Sequence, residues 1–449
     1  MSTLADRLAD LADDAPHGTG DTSGASGLWQ QGRRYARRRR LETGALVVVL
    51  LLALGSVGTW VLPSASYDVA PADASASLRL PDRLFTPSPY LPGTDDVGPV
   101  GPLVAVFGAE RKTWRGTASN ALVGVGAAGD YAFLDLPDVA PRSLGEEDQL
   151  ALSTDGRFVG YWVAGEPEGE ANYFGGDPVV GIAVLDTVTG DVLRHEVPTE
   201  HGLDVGGLVF AGDRLWADYG QFTEGAPRGA GTASSTGAPP VLWDVTSDVV
   251  TEHPELVDAD LSAATHAGAR LVRSRERAVE VVEPSDGSAE RWRLDVATEG
   301  ASVVDPTGRR VAVLADLDGR GTVTSGVPKV VRAGVLGSEV PVPTQVVPGE
   351  GVAELLGWRD EQHVVGLTYR PGAYVSIDVT TGETERLVLL PSVTWSPSTV
   401  VAADALTAPT FDAPEPPSVV APWVRLVVVS LALLVVGVAL LWWRRRARV

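Results

Sequence analysis

The chain contains no cysteine, a single methionine and only two lysines, Lys112 and Lys329, beside 34 arginines. Without cysteine there are no disulfides, no thiolate nucleophile and no cysteine-ligated metal, so an exported domain would be held by packing alone. Local signatures of catalysis are missing as well: no Gly-x-Ser-x-Gly elbow, no His-Glu-x-x-His helix and no phosphate-binding loop. The six histidines (His17, His195, His201, His253, His266, His363) are scattered, and no two have metal-ligand spacing. They read as surface or packing residues. The residues therefore assign no catalytic group and no cofactor, although a site assembled from distant segments would leave no local motif.

What is present begins with two uncharged apolar runs, Gly44–Leu62 and Leu426–Trp443. Each approaches the roughly 20 residues that a helix needs to cross a bilayer. Seven arginines precede the first run, six of them within Arg33–Arg40, and Arg444, Arg445, Arg446 and Arg448 follow the second. Basic residues on one side of both runs predict two spans with both termini in the cytoplasm, Arg425 being the lone exception. Trp60, Trp423, Trp442 and Trp443 stand at the interfacial ends of the runs, where indole rings are favoured. An alternative for the first run is a cleaved signal peptide ending at Ser64-Ala65-Ser66, though its 19 residues exceed the usual apolar core. The block between, Ser64–Pro422, holds 24 basic and 52 acidic residues, a net charge of −28, which argues against nucleic acid as a partner.

The N-terminal segment offers a short amphipathic helix over Ser2–Ala15, with Leu4, Leu8 and Leu11 on one face and Pro16 as a stop. A Gly/Ser/Thr-rich linker, His17–Gly27, follows. LADRLADLADDAP and the arginine run resemble the N-terminal stubs of actinobacterial membrane proteins found beside extracytoplasmic-function sigma factors. That resemblance implies a sensor as one alternative function. The scarcity of lysine has the same actinobacterial character.

The middle block is built on a repeat. Leu150–Ser153 is closed by Thr154-Asp155-Gly156, Arg157–Val163 returns, and after a long loop Gly181–Asp186 turns through Thr187–Asp191 into Val192–Val197. Short β-branched runs divided by Asp-Gly and Thr-Gly turns are hairpin signals. The third and fourth runs of the unit recur from Asn120, Gly181, Pro240, Arg277, Val330 and Ala373. Repetition of a four-stranded unit predicts an all-β propeller of about six blades, each burying its faces against its neighbours. Seven blades are possible if Leu78–Gly101 and Ser398–Leu406 build another; alternatively Ser398–Leu406 closes the ring.

STDGRFVGYWV, AGDRLWADY and DPTGRRVAVLA resemble the Ser/Asp-Pro-Asp-Gly strand motif of WD40-like repeats of the TolB type. IAVLDTVTG and VSIDVTTGE resemble the hairpin that follows it. The resemblance covers about Leu103–Leu390 and implies a propeller, but Trp243-Asp244 is the only Trp-Asp pair. The expected order is a cytoplasmic segment (1–43), a membrane helix (44–62), a tether and strap (63–102), the propeller (103–406), a proline-rich spacer (407–423), a second membrane helix (424–443) and a basic tail (444–449).

The longest insertions, Gly165–Pro178, Gly220–Pro239 and Ala315–Pro328, all join the second strand of a blade to the third, which places them on one face. The candidate ligand-binding residues are Glu166, Glu168, Glu170, Tyr173 and Phe174 on the first and Tyr219 and Phe222 at the second. The second insertion, rich in Gly and Ala, reads as disordered. Asp316 and Asp318 have the alternation of half a calcium loop without its distal glutamate, which makes them weak metal candidates. The function expected is a membrane-tethered binding or scaffold module for a cell-envelope protein, peptide or glycan. The alternatives are the sensor and a propeller-based hydrolase or lyase.

Overall fold

The computed structural model describes residue 73 and residues 76–447, except for 114, 145–148, 231, 257–260, 316–328, 338–339, 350, 370–371, 392–398 and 420. The short helix expected over Ser2–Ala15, the arginine run, the first apolar run, most of the third insertion and the weak metal candidates Asp316 and Asp318 lie outside the described residues. The chain divides into two units, Tyr67–Ala421 and a second one that contains Pro422–Val449.

The first unit is the predicted propeller, and it has six blades. Blade 2 is the simplest: Leu150–Leu152, Phe158–Ala164, Val179–Asp186 and Val192–Glu196 pair in that order. Blade 3 follows with Leu203–Ala211, Arg214–Phe222, Val241–Asp244 and Val249–Glu252, and blade 4 with Thr265–Ala267, Arg270–Arg275, Ala278–Val282 and Ala289–Arg293. Blade 5 is Val303–Val304, Arg310–Ala315, Val330–Val335 and Thr344–Val346, and blade 6 is Glu354–Trp358, His363–Tyr369, Gly372–Asp378 and Thr384–Leu389. First strands of successive blades lie against one another around the axis.

Blade 1 takes three strands from the start of the block, Leu103–Lys112, Ala118–Gly126 and Tyr131–Phe133, and its innermost strand, Thr399–Val401, from the end. Val106 pairs with Val400 in an antiparallel register. The stretch expected to close the ring does so, and no seventh blade forms among the described residues. A short helix, Ala403–Thr407, then buries Ala405 and Leu406 against the first strand of blade 6. The strap before blade 1 reinforces the joint. Leu80-Pro81 pairs in parallel with Thr410-Phe411, and Leu84 N–H donates to the Leu389 carbonyl at 2.9 Å.

Burial explains the sequence pattern. Second and third strands are covered on both faces by neighbouring blades, so Phe158–Ala164 and Val179–Asp186 are nearly unbroken apolar runs. Outer strands such as Ala289–Arg293 are exposed and polar. Gly156 shows why one turn residue is fixed: its φ is 74°, and a Cβ there would overlap the Leu103 carbonyl oxygen of blade 1.

The second apolar run lies within a 26-residue helix, Pro422–Ala447. Among the described residues no helix is long and apolar enough to cross a membrane. Taken as sequence, Leu426–Trp443 is uncharged throughout.

Candidate functional site

The two insertions described leave blades 2 and 3 on the same face and meet. Three N–H groups of the first tie it to the link between these blades: Glu168 to Thr199, Gly169 to Glu200 and Asn172 to His201, with N···O distances of 3.0, 2.8 and 2.8 Å. Asn172 is 1% exposed, and its amide holds both insertions at once. Nδ2 donates to the Glu224 carbonyl at 2.8 Å, while Oδ1 accepts from the Phe174 N–H at 2.9 Å. Tyr173 N–H donates to the Ala226 carbonyl at 2.8 Å. The second insertion is ordered by its own strand, Ser235–Gly237, which pairs with Gly220–Phe222. This corrects the reading of that loop as disordered: the Ser-Thr-Gly segment finds a free edge beyond the end of the third strand.

The aromatic candidates have other duties than those expected. Phe174 is half-buried and meets Phe222 edge-on, with ring centroids 6.4 Å apart. Tyr173, also half-buried, lies under the Arg228 guanidinium at 4.7 Å, and Arg228 pairs with Asp177. Tyr219 and Phe222 are each only 7% exposed, and Tyr219 packs edge-on against Trp162. Neither is a surface anchor. The second strand runs on through Phe222, so both are blade residues whose side chains fill the space beneath the insertion.

Glu166 and Glu168 stand at a cleft of about 500 Å3, bounded also by Asp138, by Arg194–Glu196 of the outer strand of blade 2 and by Val197–Thr199 of the link that follows. Arg194 is occupied by Asp138 at 2.7 Å. Glu166, Glu168 and Glu196 have no ion-pair partner among the described residues, so the cleft is acidic. Burial lowers the pKa of His195 in the wall. Glu170 lies outside the cleft, its carbonyl accepting from His201 Nδ1 at 2.7 Å. Glu196 and Asp138 were not singled out from sequence. The only signal for Glu196 was its place on an outer strand, and Asp138 enters by a left-handed turn with φ of 56°. Among the described residues no group of histidine and acidic side chains is arranged to hold a metal ion.

No family model and no curated protein matches the chain. Among solved structures it is similar to TolB from Acinetobacter baumannii, with 13% identity over 67% of this chain and 70% of that one and a TM-score of 0.37. It is similar also to the WD40 repeats of RRP9 (13% identity, 76% and 89% covered, TM-score 0.35). The acylaminoacyl peptidase of Pyrococcus horikoshii is a third (13% identity, 63% and 44% covered, TM-score 0.37). Likeness at this level does not carry function across. It is the strand pairing of the chain itself that makes it a six-bladed β-propeller.

Proposed function

We propose that the chain is a membrane-tethered, extracytoplasmic binding module whose acidic cleft receives a basic segment of a cell-envelope protein or peptide. The observation that carries this is the set of three carboxylates, Glu166, Glu168 and Glu196, left without counter-charges at one cleft. Two insertions are pinned together beside it through the buried Asn172. Rigid loops of this kind lower the ordering cost of binding. The net charge of −28 would steer a cationic partner at a rate that falls with salt. The tether is supported by sequence. Both apolar runs are uncharged, approach the length a spanning helix needs and are flanked by arginine.

A fluorescent arginine- and lysine-rich peptide titrated into the full-length protein provides the test. Replacing Glu166, Glu168 and Glu196 together by Gln is expected to weaken binding at least about tenfold and to flatten its salt dependence. Equal affinity in the triple variant would sink the reading. All three side chains are surface charges outside the core, so the fold is expected to survive their neutralisation.

A further inference from the structure

Blade 4 carries an accumulation of the opposite sign. Its second strand turns into its third through Arg275-Glu276-Arg277-Ala278, at the same face as the insertions. The register sets Arg273 opposite Glu280 and Glu280 opposite Arg291, and it sets Arg275 opposite Ala278 and Ala278 opposite Arg293. Side chains two apart on a strand share a face, so Arg273, Arg275, Arg291 and Arg293 project together. With Arg277 at the turn they line a cleft of about 730 Å3.

The register places one carboxylate, Glu280, among these arginines. Glu280, on the floor, has a side chain only 8% exposed and serves three guanidiniums: Arg273 Nη2 at 2.5 Å, Arg291 Nε at 3.5 Å and Arg275 Nε at 3.8 Å. Glu276 stands at the turn, and Asp218 of blade 3 attracts Arg273 from across the blade interface. The Arg273 side chain is 6% exposed, and its Nε and Nη1 have no hydrogen-bond partner among the described residues. The turn that sets the rim is fixed. Glu276 takes a φ of 36°, unusual for a residue with a Cβ, and its carbonyl accepts from Thr298 N–H at 2.5 Å and Thr298 Oγ1 at 3.1 Å.

We infer that this cleft binds a phosphate monoester, contacted by Arg275, Arg277, Arg291 and Arg293, with Arg273 as a positioning residue beneath them. Guanidinium forks match phosphate oxygens in pairs. A dianion gains more from several converging guanidiniums than a single carboxylate does. Arginines gathered this closely repel one another, and a bound anion would offset that repulsion.

Glycerol 3-phosphate, short-chain phosphatidic acid and sulfate, each titrated into the full-length protein by calorimetry, test this. Saturable binding of either phosphate ester is expected, strengthening from about pH 5 to about pH 7 as the ester takes its second charge. Arg275→Gln with Arg291→Gln should weaken it at least about tenfold, whereas Arg386→Gln on blade 6 should not. Binding of the lipid alone would assign a headgroup as the source, and binding of both a soluble ester; either supports the site. No saturable binding, equal binding by the double variant, or pH-independent binding in which sulfate competes equally well would overturn it.

Discussion

At the scale of single residues, the repeat is written in aspartates that end third strands. Asp186 Oδ1 accepts from the N–H groups of Val188 and Thr189 at 2.9 and 3.2 Å, and Arg157 grips Oδ2 through Nε and Nη2 at 3.1 and 2.8 Å. Asp244 and Asp378 repeat the turn in blades 3 and 6. Burial alone would raise the Asp186 carboxyl, but Arg157 and the two N–H groups hold it below its ordinary value. N–H donors from the turn lower Asp244 and Asp378 in the same way. Their contribution to stability is therefore present above the unfolded pKa of about 3.9 and is lost as pH falls through the lower folded values. His266 acts in a higher window. It is only partly covered as a residue, yet its Nδ1 has no accessible surface, and burial holds its pKa at about 4. A base depressed by folding takes up its proton in the unfolded chain first. Stability is thus full above about pH 6.5 and declines between about 6.5 and 4. We expect a loss on the order of 2 kcal/mol across that window, after allowance for partial exposure. In urea melts at stepped pH, His266→Asn should flatten this limb and leave the steeper one below about pH 4 in place. An unchanged limb would show that another group titrates there.

At the scale of elements, the ring depends on a joint made by two distant parts of the chain. Thr399–Val401 covers the inner edge of Leu103–Lys112, and without it that strand would present unpaired N–H and C=O groups. Leu406, 2% exposed, anchors the strand through the short helix that follows. Leu406→Ala is expected to cost about 2–4 kcal/mol, as for other buried leucines whose sites collapse only in part. Hydrogen exchange should locate the loosening in Thr399–Val401 and Leu103–Lys112 ahead of blades 3 and 4. Uniform acceleration over all blades would mean that the joint is no weaker than the rest. The insertions form a second joint, with Asn172 inside it. Tyr173 and Phe174, expected from sequence as exposed anchors, serve there to hold one loop on the other. Their substitution would consequently disturb the loops before it reported on any ligand.

At the scale of the whole molecule, charge is distributed by segment: −28 in the block between the apolar runs, and arginine beyond both of them. Under the two-span proposal, tags at Ser2 and after Val449 should resist protease added to spheroplasts. A tag inserted between Gly229 and Ala238 should be cut, because that part of the second insertion is largely exposed. Digestion of the C-terminal tag in intact spheroplasts would refute the topology. Absence of the N-terminal tag from the mature protein would point to signal cleavage at Ser64–Ser66 instead.

The six blades, their strand order and the turns between them were legible in the sequence, because each rests on local chemistry. Runs such as Phe158–Ala164 are apolar on both faces since both are buried, and Asp-x-x-Thr-Gly turns carry their own hydrogen bonds. Closure by Thr399–Val401 was open between two readings until the pairing of Val400 with Val106 decided it, since the partners of a closing strand lie some 300 residues away. The sites were less legible still. Glu166 and Glu168 could be named from their loop, but Asp138 and Glu196 join them only through the packing of blade 2. The arginines of blade 4 sit on two strands and carry no local motif. Register alone set Arg273, Arg275, Arg291 and Arg293 on one side of the sheet, around a single buried carboxylate.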